Sequence, residues 1–384
     1  MSGASASTEK PERPAATSRL HDSLLVRAPL LALSALALLT GLCGGLWRIG
    51  WTMPHGAALA QMHGPLLISG LFGTLVGLER AVALGRGWSY AAPALSGLGT
   101  LVLLAGAPIS VAAGIYALAA AVLAAGSILI TYCQPALFTG TLLVGALAWL
   151  AGNLYWALGG AVADVVGWWL AFLVLTILAA RLELSRLNPS KWGSEAIFLF
   201  ALGILLTGAQ NGLMTRNGAI LFGVALLVTT GWLLRHDIAW MNVRRTGQTR
   251  YIAACMLVAY LWLAVAGAAL IAYQPESSPF GYDIALHAIL IGFVLSTLFG
   301  HALVVLPALV RLRVSYSSAL YVPLVLLHAS VALRVGAGVA EWASGRLMSG
   351  PLTALALAGF AATLAIASRR PRTARPLVAP GPAA

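Results

Sequence analysis

The sequence predicts an all-α fold, a polytopic transmembrane helical bundle of about twelve spans with both termini in the cytoplasm. Three observations predict it. Charged residues make up 9% of the 384-residue chain and hydrophobic residues 60%, where a soluble domain would carry about 25% charged. The apolar residues gather into runs of about 20, the length of helix that crosses a bilayer. The basic residues fall between those runs in an alternating pattern that fixes orientation.

Taken in order, residues 1–23 are polar and rich in Pro, Ser and Ala, and lack the apolar stretch of a signal peptide. They are read as a disordered cytoplasmic tail. Spans follow at 24–46, 58–80, 89–107, 109–131, 136–158 and 161–181, then at 194–214, 217–235, 251–273, 283–306, 316–338 and 351–368. Residues 24–368 thus form one transmembrane domain, and 369–384 a basic, Pro-rich cytoplasmic tail.

With the N-terminus inside, nineteen of the 23 Lys and Arg residues fall on inner segments. They run from Lys10, Arg13, Arg19 and Arg27 through Arg80, Arg86 and Arg181 to Arg369, Arg370, Arg372 and Arg375. Only Arg48, Arg216, Arg334 and Arg346 fall outside. A miscount by one helix would scramble this alternation. The net charge of +12 is therefore membrane-flanking charge, and nucleic acid is excluded as a partner because no groove-reading stripe forms. Membrane lipid is the expected surrounding, in a bacterial inner (plasma) membrane.

Cys43, Cys133 and Cys255 are far apart and form no C-x-x-C pair, which removes a zinc site or a c-type haem attachment and leaves helix-packing roles. No internal repeat stands out beyond a faint echo between spans two and ten: His63, Leu66, Leu67 and His287, Leu290, Ile291.

The histidines carry the functional question. His21 and His236 fall in solvated segments, and His55 at an interface. His63, His287, His301 and His328 lie within spans, where an ionisable side chain is costly and faces the bundle interior with a partner. Spans two and ten run in the same direction, from outside to inside. His63 and His287 each lie four or five residues in, so at about 1.5 Å per residue they share one depth in the outer third. Two imidazoles at one depth on different helices can clamp a flat macrocycle from opposite faces. His301 follows His287 by fourteen residues, on nearly the same face but about 21 Å deeper. One haem cannot use both, so His301 and His328 are candidates for a second site or for structural hydrogen bonds.

Twelve spans with a histidine high in spans two and ten resemble subunit I of the haem-copper oxidases. The segments "MHGPLLISGLFGTLVGLERAVAL" and "LHAILIGFVLSTLFGHALVVLPALVRL" are also similar to proteins of the NnrS type, multi-span haem proteins linked to nitric-oxide stress. The resemblance implies that His63 and His287 are axial ligands of a haem b. It also implies that arginines between spans eleven and twelve, Arg334 and Arg346, hold the haem propionates; Arg48 is a third candidate. The copper centre of the oxidases is not expected. Span six reads "DVVGWWLAFLVLT", span seven ends in Gln210 and Asn211, and positions 285 and 289 are Ala and Ile. Oxygen reduction by this chain alone is therefore not expected.

Three functions follow. The first is a b-type haem protein for electron transfer, or for a role with nitric oxide or oxygen, working beside other membrane or cytochrome subunits. The second is a secondary transporter of a small neutral or lipid-like substrate. The third is a structural subunit without a cofactor. Glu79-Arg80 reads as an interfacial ion pair, and Asp283 as a carboxylate suited to a helix N-terminus.

Overall fold

Helix forms wherever the sequence runs apolar, because in a bilayer each backbone N–H and C=O must find its partner within its own segment. The computed structural model describes residues 24–185, 192–274, 278–310 and 314–369, and these are helical with short connections and no strand. Both predicted tails, apart from Arg369, lie outside the described residues, as do Arg186, Lys191, Arg311 and Arg313.

The helices are α1 (Leu24–Arg48), α2 (Gly56–Leu84), α3 (Ala91–Leu104), α4 (Ile109–Cys133), α5 (Leu137–Ala157) and α6 (Val162–Ser185). They continue as α7 (Trp192–Asn211), α8 (Arg216–His236), α9 (Gly247–Ala272), α10 (Gly281–Val310), α11 (Tyr321–Val339) and α12 (Ala343–Arg369). Eleven helices among the described residues are long and apolar enough to cross a membrane. The segment predicted at 89–107 is shorter: a 3-10 turn over Gly87–Tyr90 leads into the fourteen residues of α3.

Successive helices pack as antiparallel neighbours, and α2, α6, α9 and α10 meet behind them. Of an 18-residue stretch in each, 72% of α6 and 61% of α2 and α10 is enclosed, against 28% of α1 and α12. The outer helices thus present their apolar sides outward, as a lipid-facing helix must. Small residues set the close crossings. At α8 against α9, a Cβ on Gly223 would come within 2.6 Å of the Gly267 carbonyl oxygen, and one on Gly267 within 2.7 Å of that of Gly223.

Two helices depart from α geometry, and they are the pair that carries His63 and His287. In α2 a π segment covers Leu66–Phe72, and in α10 another covers Ala288–Leu295. Such segments are rare and gather at functional sites. Pro65 lacks the N–H that would continue the α ladder. Inside the π segment, the Ser69 carbonyl accepts a hydrogen bond from Ser96 Oγ of α3 at 2.6 Å. Ser69 Oγ in turn donates to Asn153 Oδ1 at 3.1 Å and accepts from Trp149 Nε1 at 3.0 Å, which ties the widened turns to α5. In α10, Gly292 lets the Trp262 ring of α9 lie against the backbone, since a Cβ there would overlap the indole.

Candidate functional site

The N-terminal half of α2 brings His63 to α1 at a run of glycines, Gly41, Gly44 and Gly45. The Nδ1–H of His63 donates to the Gly41 carbonyl at 2.7 Å. Gly45 leaves room for the ring, because a Cβ there would lie 2.6 Å from His63 Cε1. The spacing of Gly41 and Gly45 is the small-x-x-x-small pattern by which membrane helices approach closely.

On α10, the Nδ1–H of His287 donates to the Asp283 carbonyl at 2.8 Å, and Oδ1 of the Asp283 carboxylate lies 3.3 Å from the same nitrogen. A carbonyl oxygen only accepts, so both imidazoles hold their proton on Nδ1. Neither Nε2 has a hydrogen-bond partner among the described residues. An Nδ1 tied to a carbonyl with a free Nε2 is the state of a histidine that ligates a metal.

The two rings lie close together and nearly parallel. Their centroids are 6.5 Å apart and their planes differ by 15°. Two imidazoles that bind one ion from opposite sides through Nε2, at about 2.0–2.1 Å each, have ring centres about 6.4 Å apart. Both rings line a cavity of about 90 Å³ whose walls come from the two π segments, α1 and α12, with Arg334 of α11. Leu67 lines it from α2, Leu290 and Ile291 from α10, and Leu38 and Leu42 from α1. All the residues of the faint echo between spans two and ten except Leu66 thus line one cavity.

Arg334, Arg346 and Arg48 surround this place unequally. Arg334 of α11 lines the cavity, is 7% exposed, and grips Asp283 with two hydrogen bonds of 2.6 Å and 3.0 Å. Arg346 of α12 lies 3.6 Å from the same carboxylate, with its guanidinium 3.8 Å above the Phe280 ring and its Nε without a partner. Arg48 closes α1 and donates to the Ala60 carbonyl at 3.3 Å, three residues before His63. One carboxylate is thus set against two cations in direct reach, with a third on the neighbouring helix. That surplus suits anionic groups at the cavity's outer rim.

His301 and His328 do not share a site. His328 is engaged at both nitrogens: Nδ1 accepts from Trp262 Nε1 at 3.0 Å, and Nε2 pairs with Ser296 Oγ at 3.3 Å. Ser296 in turn donates to the Cys255 carbonyl at 2.8 Å. His301 lies on the C-terminal half of α10 and lines a second, larger cavity of about 280 Å³. Glu79 and Arg80, paired at 3.1 Å, line that same second cavity. Of the cysteines, Cys255 is buried in helix packing and Cys43 partly so, but Cys133 is exposed at the end of α4, which the packing role did not anticipate.

Sequence reasoning missed Asp283 as more than a helix-terminal carboxylate. Its i,i+4 spacing to His287 was the available signal. It also missed Gly41 and Gly45, whose four-residue spacing on α1 was equally readable. Among the described residues, no group of three or more His, Cys, Asp or Glu side chains gathers as a metal site.

No curated protein and no solved structure matches the chain. One family profile, described as a domain of unknown function (DUF8744), matches residues 27–369. That match spans most of the 384 residues, and the chain belongs to this family.

Proposed function

We propose that the chain is an integral membrane b-type haem protein, with His63 and His287 as axial ligands and electron transfer as its primary role. The single observation that carries this reading is the pair of Nε2-free imidazoles with centroids 6.5 Å apart on one cavity. Two side-chain ligands are too few for a bare ion, since a structural zinc site takes about four. They complete a metal that already has four ligands in a plane. The donor set therefore fits a haem better than a free metal. A haem in that position supplies one-electron redox chemistry at a potential set by its axial ligands and burial.

The chain's own residues then have separate tasks. Gly41 and the Asp283 backbone hold the two Nδ1 protons and so present both lone pairs inward. Arg334, Arg346 and Arg48 offer positive charge to propionates at the outer rim. Leu67, Leu71, Leu290 and Ile291 exclude water from the ring faces. With two histidines on the axis no position is left for a substrate, which favours electron transfer over catalysis. The resemblance to haem-copper oxidase subunit I and to NnrS-type proteins supports this reading, without a copper centre.

Topology forms part of the same proposal. The 3-10 turn and α3 together rise about 29 Å, at about 2.0 Å and 1.5 Å per residue, close to a hydrocarbon core of about 30 Å. Counting it as a crossing gives twelve spans, with both termini in the cytoplasm and the His63–His287 site on the outer side of a bacterial plasma membrane.

The test is the visible spectrum of the purified protein. A Soret band with sharp reduced α and β bands is expected, with a pyridine haemochrome of the b type. His63→Ala and His287→Ala should each abolish the low-spin spectrum. A colourless protein, or two colourful single variants with unaltered bands, would sink the assignment and return the chain to the transporter class.

A further inference from the structure

The inner cavity goes beyond the outer site and stands without it. It is lined by α2, α6 and α10, with Phe360 of α12 at one side, and measures about 280 Å³. Along α10 its walls run from Val294 to Leu309, about 22 Å of helix at about 1.5 Å per residue. Most of that wall is Leu, Val, Ile and Phe.

Four side chains on this cavity have hydrogen-bonding capacity that nothing fills. His301 donates from Nδ1 to the Thr297 carbonyl at 3.1 Å, so its Nε2 is a free acceptor. Thr297 of α10 and Thr176 of α6 are 4% and 8% exposed, and neither hydroxyl has a partner. Arg80 is held by Glu79 through one terminal nitrogen at 3.1 Å, while its buried Nε is unpaired. A buried polar atom left unmatched costs about 1–3 kcal/mol, so three of them around one cavity mark a place built for a partner.

The chemistry narrows the occupant. Glu79 and Arg80 neutralise each other, so an anionic or a cationic head meets no surplus charge. The remaining groups are two hydroxyls and one imidazole acceptor, which suit neutral oxygens that accept, and that donate when protonated. The long apolar trough suits a hydrocarbon tail. A ring with oxygens at two positions and an isoprenoid-type tail meets all of these conditions.

We propose that the inner cavity is a binding site for a membrane-soluble quinone or its hydroquinone. The ring oxygens are held by Thr176, Thr297 and His301, and the tail lies along α10. Phe72 lines both the inner and the outer cavity, so an occupant resting on it borders the outer site through that single ring.

The experiment uses the full-length protein in nanodiscs under argon, with a decyl-tailed benzohydroquinone as probe, whose hydroxyl can donate to His301 Nε2, and binding followed by calorimetry. Saturable binding at one site is expected. Thr297→Val and Thr176→Val keep the side-chain shape and should each weaken it about tenfold, as should His301→Gln. If His301→Gln fails to fold, the two valine variants carry the test alone. His63→Ala should leave binding unchanged. The proposal is overturned by an absence of saturable binding, by wild-type affinity in all three cavity variants, or by displacement of the probe with phosphatidylglycerol at equal concentration. Because the readout does not depend on visible absorption, a failure here leaves the outer-site reading intact. A wild-type protein that binds the probe but shows no Soret band sinks only the outer site.

Discussion

Asp283 and Arg334 are joined by two hydrogen bonds across α10 and α11, and the same carboxylate stands 3.3 Å from Nδ1 of His287. One acidic side chain thus steadies a buried cation and one of the two facing imidazoles. Both duties can be tested by a single change of charge. Asp283→Asn leaves Arg334 without its counter-ion inside the bundle, a loss on the order of 3 kcal/mol. Differential scanning fluorimetry should show a clearly lower unfolding midpoint. On the proposed haem, removing a negative charge behind an axial ligand disfavours the oxidised form, so the midpoint potential should rise. An unchanged potential with bound haem would separate Asp283 from the iron.

Gly45 and Gly41 lie on the same side of His63 but differ in what surrounds them. A methyl group on Gly45 would fall 2.6 Å from the imidazole, whereas one on Gly41 meets the flexible end of Leu67 at 2.8 Å. Gly45→Ala should therefore displace the ring and lower haem occupancy severalfold, while Gly41→Ala should largely preserve it. Haem-to-protein ratios after purification decide. Equal occupancy in both variants would mean that the ring has slack.

His328 is bonded at both nitrogens, between Trp262 and Ser296. His328→Ala strands the indole N–H, a penalty of about 1–3 kcal/mol. A reduced unfolding midpoint with an unaltered spectrum is expected. A changed spectrum would make His328 a participant in cofactor binding.

At the C-terminal end of α6, Arg181 grips Asp237 with two hydrogen bonds of 2.6 Å, and Tyr260 of α9 donates to the same carboxylate at 2.7 Å. Asp237→Asn should destabilise by roughly 3–5 kcal/mol, because it removes the carboxylate charge that faces a buried guanidinium. Tyr260→Phe should cost about 1 kcal/mol. The ranking can be read from chemical unfolding in mixed micelles, and a reversed order would show that the hydroxyl is the more important partner.

Cys133 is the exposed one of the three thiols, and its side of the membrane depends on whether α3 crosses. With twelve spans and a cytoplasmic N-terminus, Cys133 faces the cytoplasm. With eleven, it faces outward. A membrane-impermeant maleimide should therefore label it in inside-out vesicles and not in intact cells.

The helical class was legible because lipid imposes one pattern, a run of about 20 apolar residues per crossing. The matched depth of His63 and His287 was legible from counting residues, and their rings do lie together. The tie between Asp283 and Arg334 was not, because it joins residues 51 positions apart and no local pattern names the partner. The π segments were equally hidden: they arise from Pro65, Gly292 and contacts with α3, α5 and α9, which a helical repeat does not encode. The inner cavity is a property of four helices at once, and single side chains such as Thr176 and Thr297 look ordinary in an apolar run.

The widened turn in α2 acts as a register spacer. A π segment takes up about one residue more than the α-helix it replaces, so deleting one residue from 66–72 would let α2 run straight. The helix on both sides of the segment would keep its facing, because the residue removed is the one that the widened turns absorb. His63 would stay against α1, and Glu79 and Arg80 would stay on the cavity they share with α10. The same deletion in a plain α-helix would swing everything beyond it by about 100°. The widened turns thus let the two ends of one helix hold facings that its residue count alone would not give.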